Sequence, residues 1–168
     1  MSDNIEVLNT LGRDELKEKF FKCCSSHQWV DQLLNFRPFD NLSNLKILAE
    51  NIWFDLTEKD WLEAFDGHPK IGDVESLKEK YNKSKSWSEN EQAGVNQASE
   101  QTIQELSKLN EQYLNQNGFI FIVCATGKSA EEMLELLKQR IGNSRDQELK
   151  IAAIEQDKIT KLRLEKLL

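Results

Sequence analysis

The sequence predicts an all-α protein: a single compact multi-helix domain over residues 1–168, with one short buried extended segment around 119–123. Three observations lead there. Apolar residues recur at helical spacing along most of the chain, as in Leu16, Phe20 and Cys24. The helical stretches are divided by short turns carrying proline, glycine or a capping residue. One run breaks the pattern: Phe119-Ile120-Phe121-Ile122-Val123 is apolar and rich in β-branched residues, and periodicity does not assign it. We read it as a buried extended pass between helices.

The first clear helix covers about Arg13 to Cys24, with Leu16, Phe20, Phe21 and Cys24 on one face. The second runs near His27 to Asn35 and stops before Arg37-Pro38, because proline disfavours helix in the residue before it. A third spans about Leu42 to Phe54. Thr57-Glu58-Lys59-Asp60 resembles a capping box that starts a short helix carrying Trp61, Leu62 and Phe65 inward. Asp66-Gly67-His68-Pro69 breaks it, and Gly72 marks a further turn. Lys78 to Ser88 is polar and reads as a mobile surface connection. A long helix follows from about Glu89 to Asn115 and ends at Asn117-Gly118. Ser129 with Glu132 caps the next helix, which stops at Gly142, and the last runs from about Ser144 to Leu167.

Composition removes several classes of function. The net charge of -7 makes nucleic acid a poor partner, since phosphate backbones are met by clustered Lys and Arg. The longest apolar run, Phe119 to Ala125, is far short of the roughly 20 residues of a membrane span. Met1-Ser2-Asp3-Asn4 lacks the basic and apolar regions of a signal peptide, so a cytoplasmic location is expected. Glu165-Lys166-Leu167-Leu168 only loosely echoes a peroxisomal Ser-Lys-Leu address. Cys23, Cys24 and Cys124 have no ligand-like spacing and read as buried free thiols. Gly127-Lys128-Ser129 looks like the end of a phosphate loop, but Ile122 stands where that motif needs glycine. His27 has no carboxylate or cysteine pattern around it, so no metal site is expected.

Three places can carry chemistry. Proline restrains the residue before it, so His68 is held at a helix exit, and an imidazole with a pKa near 6.5 suits proton transfer near neutrality. A cap on the preceding helix is the competing explanation. Ser88 and Glu91 stand three apart at a helix start and satisfy a capping box; Ser86 and Glu89 offer the same box one register earlier, which would release Glu91 to orient His68. Arg163 falls within about 40° of Ala152, Gln156 and Ile159 on the last helix, which sets a permanent cation on the inward stripe. Either an internal ion pair or an anionic ligand answers it.

These features occur together in one family. Asn35-Phe36-Arg37-Pro38-Phe39 comes first, followed by the Trp61–Phe65 helix running into His68-Pro69-Lys70-Ile71-Gly72-Asp73. Then come Ser88-Glu89-Asn90-Glu91-Gln92-Ala93-Gly94, Gly118-Phe119-Ile120-Phe121-Ile122 with Gly127-Lys128-Ser129, and Glu155-Gln156-Asp157-Lys158-Ile159 ahead of Arg163-Leu164. In this order the chain resembles the 2-oxo-4-hydroxy-4-carboxy-5-ureidoimidazoline (OHCU) decarboxylases over nearly its whole length. The resemblance implies an all-helical fold, a homodimer, and decarboxylation of a small ureidoimidazoline to (S)-allantoin in urate breakdown, with neither metal nor organic cofactor. It implies that His68 is the acid/base, that Glu91 holds and polarises it, and that Arg163 binds a polar group of the substrate. Pro69, Ser88 and Gln92 would line the pocket, with backbone amides near Phe119 and Ile120 holding ring and ureido groups. Gln116-Asn117 departs from the basic and aromatic pair expected before Gly118, which touches the pocket edge. Two rivals make different forecasts: a helical interaction module would scatter His68, Glu91 and Arg163, and a ureide-binding protein would keep the pocket without turnover.

Overall fold

The computed structural model describes residues 4–70, 72–82 and 89–168, the side chains of 82 and 89–99 excepted. Helix dominates, and no strand occurs among the described residues. The elements are α1 (Ile5–Thr10), α2 (Arg13–Cys23), α3 (His27–Leu34), α4 (Leu42–Asp55), α5 (Glu58–Asp66), α6 (Val74–Asn82), α7 (Glu89–Asn117), α8 (Ala130–Arg140) and α9 (Arg145–Glu165). Among the described residues no helix is long and apolar enough to cross a membrane. The chain divides into two compact units.

The first unit holds Met1–His68, Ile122–Cys124 and Lys150–Leu168. Its core is aromatic, and each buried indole has its polar N–H satisfied, as burial demands. Phe20 of α2 meets Trp29 at 6.1 Å and Phe39 at 5.9 Å, both edge-on. Trp29 Nε1 donates to the Ala49 carbonyl at 3.0 Å, and Trp53 Nε1 donates to the Ala153 carbonyl at 2.8 Å, which fastens α4 to α9. Cys23 and Cys24 are both buried, because α2 ends at Cys23 and Cys24 is already extended. Cys124 is half-buried, so the expectation of three buried thiols holds for two.

The second unit holds Pro69–Phe121 and Ala125–Leu149. Here α7 packs along α6 and α8, with Ile103, Leu106 and Tyr113 buried on its inner side. A polar cluster is buried among them. Glu148 accepts from Tyr113 Oη at 2.6 Å, from Arg140 Nε at 2.8 Å and from Asn143 Nδ2 at 2.9 Å. Arg140 also stacks over Phe121, 4.5 Å from the ring centre. At Gly118 the backbone takes φ +80°, which an L side chain resists, and α7 stops.

Most expected boundaries agree within a residue or two, and the Ser129–Glu132 box is formed in both directions. Two elements differ. α1 is a further helix ahead of the first expected one; Ile5 and Leu8 are buried one turn apart and hold it. The polar stretch from Lys78 is helix as far as Asn82, not a connection, because Val74, Leu77 and Tyr81 form a helical stripe whose centre, Leu77, is buried. The rest of that stretch, 83–88, lies outside the described residues. The 119–123 segment is non-helical as expected, with Phe119 and Ile122 buried and the residues between and after them half-buried.

Candidate functional site

His68 owes its position to the end of α5. The Asp60 carboxylate accepts from the Thr57 N–H at 3.2 Å and from its hydroxyl at 2.8 Å, which fixes the helix start. Phe65 and Ala64 are buried, while Trp61 and Leu62 are half-buried. The helix then runs out at Gly67, where a Cβ would stand 2.4 Å from Ser25 Cβ and 2.6 Å from Ser25 Oγ. Only glycine lets the backbone pass this close. The His68 N–H still reaches the Phe65 carbonyl at 3.2 Å, so the imidazole leaves from the last turn in a defined direction.

That direction leads to α9. His68 Nε2 lies 2.5 Å from Gln156 Oε1. Gln156 is wholly buried, and its Nε2 donates to Thr160 Oγ1 at 3.0 Å. The Thr160 hydroxyl donates in turn to the Gln156 main-chain carbonyl at 2.9 Å. Burial pulls the His68 pKa below its ordinary value, the Gln156 hydrogen bond opposes this, and the Arg163 cation adds to it. The folded protein therefore favours the neutral imidazole.

Arg163 sits one turn beyond Thr160. Its Nη1 donates to the main-chain carbonyls of Lys22 and Cys23, both at 3.3 Å, at the end of α2, where carbonyls are unpaired and negative potential gathers. Among the described residues no carboxylate meets it. Its charge acts on His68 and on both adjacent thiols. Burial pushes Cys23 up to about 11 and Cys24 up to about 12 against the pull of Arg163, so both remain thiols.

The first unit thus brings His68 and Arg163 together. In the second unit, Pro69 and Ile120 line one cavity of about 420 Å³ with Lys70, Asp73, Asn110 and Phe121. Phe119 is buried with its ring 5.9 Å from that of Tyr113 and is overlaid by Arg145, whose Nε holds the Asn117 carbonyl at 3.0 Å. The Phe119 ring and the Asn117 carbonyl are thereby held from the α7 and α9 sides of their own unit. Glu91 and Gln92 belong to the first turn of α7, but their side chains lie outside the described residues, as does Ser88 with both capping registers. The sequence alone presents Gln156 only as a position on the last helix. The signal was present in Gln156, Thr160 and Arg163 at i, i+4 and i+7, a polar stripe on a face that buries Ala152 and Ala153.

Against this geometry stand the likenesses to known proteins. The sequence pattern of the OHCU decarboxylase family matches residues 9–165, through both units. The chain is 37% identical over 158 residues to the uric acid degradation bifunctional protein TTL of Arabidopsis thaliana, covering 94% of this chain and 47% of that one. It thus spans about half the length of that relative. It is 24% identical over 164 residues to the 2-oxo-4-hydroxy-4-carboxy-5-ureidoimidazoline decarboxylase of Halalkalicoccus jeotgali, covering 97% of this chain and 90% of that one. A crystal structure of OHCU decarboxylase in the presence of (S)-allantoin superposes with a TM-score of 0.71 at 36% identity, covering 89% of this chain and 96% of that one. A crystal structure of (S)-allantoin synthase, at 18% identity and a TM-score of 0.69 over 95% of this chain and 52% of that one, shares the fold.

Proposed function

Because this chain belongs to the OHCU decarboxylase family, we propose that it converts 2-oxo-4-hydroxy-4-carboxy-5-ureidoimidazoline to (S)-allantoin and CO2 in urate catabolism. One structural observation carries the reading. A desolvated, neutral histidine lies in the field of an arginine that no described carboxylate pairs, so the site holds both a proton acceptor and a waiting cation. An anionic substrate suits both.

The chemistry is modest in its demands. The substrate carries a carboxylate and a hydroxyl on one ring carbon beside a C=N bond. As CO2 leaves, the bonding pair moves into the ring and the C=N nitrogen takes a proton. The hydroxyl gives up its proton to become the carbonyl, and the neighbouring carbon takes one. One proton is consumed for each CO2 released. The ring itself is the electron sink, so the protein has to hold the carboxylate out of plane and move protons on one face.

His68 manages these transfers as acid/base, and delivery to one face sets the (S) configuration. Arg163 holds a carboxylate or carbonyl by a two-point contact, with Nη2 and Nε left for it after Nη1 has met the α2 carbonyls. Glu91 stabilises the imidazolium that forms when His68 takes up a proton. The family resemblance gives Pro69, Ser88 and Gln92, with the Phe119 and Ile120 amides for the ring and ureido groups, as the remaining substrate contacts. These assignments are what the resemblance implies, and the held Phe119 ring suits the last of them. The protein works in the cytoplasm as a homodimer; Phe36, Ile47 and Phe54 expose apolar surface suited to a second copy. The decisive experiment mixes purified protein with freshly generated substrate and follows optical rotation. Rapid appearance of dextrorotatory allantoin supports the reading, and racemic product at the spontaneous rate overturns it.

A further inference from the structure

Gln156 has no part in the reaction as written above, yet it is the one described side chain hydrogen-bonded to the His68 ring. Its orientation follows from Thr160. A hydroxyl has a single proton, and that of Thr160 is committed to the Gln156 main-chain carbonyl at 2.9 Å. Thr160 Oγ1 can therefore only accept from the Gln156 side chain, 3.0 Å away. The Cys24 thiol, also hydrogen-bonded to Thr160, keeps its own proton, because burial pushes it up to about 12. The amide must then present NH2 to Thr160 and its oxygen to His68. An amide oxygen only accepts, so the proton between the two residues belongs to His68 Nε2. A neutral imidazole has one N–H, and Nδ1 is left as a lone pair.

We infer that Gln156 is a positioning residue that fixes His68 in the Nε2–H form, making Nδ1 the nitrogen that takes the substrate's hydroxyl proton. Thr160 is the lock behind it. The second half rests on the decarboxylase reading, while the first half stands on hydrogen-bond direction alone. On accepting the proton Nδ1 becomes N–H, the hydroxyl oxygen becomes the carbonyl, and Gln156 goes on accepting from Nε2 without moving. A fixed acceptor on the far nitrogen removes the unproductive tautomer in advance, as second-partner contacts do for metal-bound histidines.

The test uses the whole protein labelled with 15N and long-range 1H–15N spectra near pH 8. The chain has only two histidines, and His27→Gln identifies the other. His27 supplies an internal contrast, because its Nδ1 faces Glu63 Oε2 at 3.0 Å. The wild-type spectrum should show His68 protonated at Nε2 and bare at Nδ1. Gln156→Met keeps the side-chain length without an acceptor; it should let both tautomers appear and lower kcat roughly tenfold or more with KM within about twofold. Gln156→Glu puts a charged acceptor on Nε2, which should preserve the tautomer and move the acid limb of the pH–rate profile upward. His68 protonated at Nδ1 in the wild type overturns the inference, as does a Gln156→Met protein with unchanged spectrum and kcat. If Gln156→Met fails to fold, the wild-type spectrum and the Gln156→Glu profile still decide. Wild-type protein that shows the expected tautomer but no turnover would overturn the functional reading and leave the role of Gln156 on the ring standing.

Discussion

His68 is pressed toward neutrality from two sides, by burial and by the Arg163 cation, with Gln156 alone resisting. The sign of the resulting pH dependence is fixed. The unfolded chain binds a proton at His68 near pH 6.5, and the folded chain only at lower pH, so stability present above that value is lost as the pH falls through it. Melting temperature should therefore drop more steeply from pH 7 to about pH 5 in the wild type than in His68→Gln; equal slopes would refute this origin. Catalysis follows the same group: the acid limb of kcat/KM should lie below pH 6.5, where the base form is lost. His68→Ala should cost at least about 10²-fold in turnover with the fold intact. Glu91→Gln should impair turnover less than that, and near-silence would mark Glu91 as a helix cap only, since glutamine serves the capping box equally. Arg163→Lys tests geometry against charge. An ammonium cannot make the planar two-point contact, so kcat/KM should fall more than about tenfold, or about 1.4 kcal/mol, even though the cation is kept. Its melting temperature should change little, because the α2 carbonyl contacts are long at 3.3 Å. A folded Arg163→Lys protein with normal turnover would remove Arg163 from the site.

At the scale of elements, α5 and α9 do the positioning, and they were unequally legible. The α5 start could be read from Thr57 and Asp60, and its end from Gly67-His68-Pro69, because caps and helix breakers are local chemistry. What could not be read is why Gly67 is glycine. Its φ is an ordinary -73°, so no turn demands it; the demand comes from Ser25, distant in sequence, and a contact of that kind leaves no local trace. The same limit hid Gln156, whose partner lies 88 residues away. Arg163 was legible as an inward cation, but its meeting with the α2 carbonyls was not. α1 is six residues long and α6 mostly polar, so both form on the strength of a few buried side chains, not on helix propensity. Gly67→Ala puts the close approach to the test. The added methyl meets Ser25 Cβ at 2.4 Å, so α5 must shift, with a loss of about 1–3 kcal/mol in urea unfolding and a fall in turnover as His68 moves off Gln156. Ser25→Gly in the same chain removes the atoms it strikes and should restore much of both. A Gly67→Ala protein of normal stability and activity would show that the backbone yields without carrying His68 along.

For the molecule as a whole, the question is whether this chain suffices by itself for the reaction. The family pattern runs from residue 9 to 165, and the superposed OHCU decarboxylase structure is covered over 96% of its length, whereas the Arabidopsis relative is about twice as long. The proposed decarboxylation draws on a base and a cation, His68 and Arg163, and both lie within the matched residues. The proposed substrate would bring its own electron sink in the C=N bond, so its decarboxylation would require neither a Lewis acid nor an organic cofactor to accept the electrons released with CO2. The expected outcome is that the 168-residue protein, treated with chelator and desalted, still forms dextrorotatory allantoin faster than the spontaneous reaction, which gives racemate. Polarimetry separates the two directly, because only a catalyst that protonates one face leaves net rotation. Added zinc or manganese should make no difference to the rate. Loss of activity on chelation that either metal restores would mean that an ion polarises the substrate and that His68 and Arg163 share the work. A chelated protein that decarboxylates without net rotation would separate the two halves of the mechanism, with CO2 loss under control of the site and the final protonation left to water.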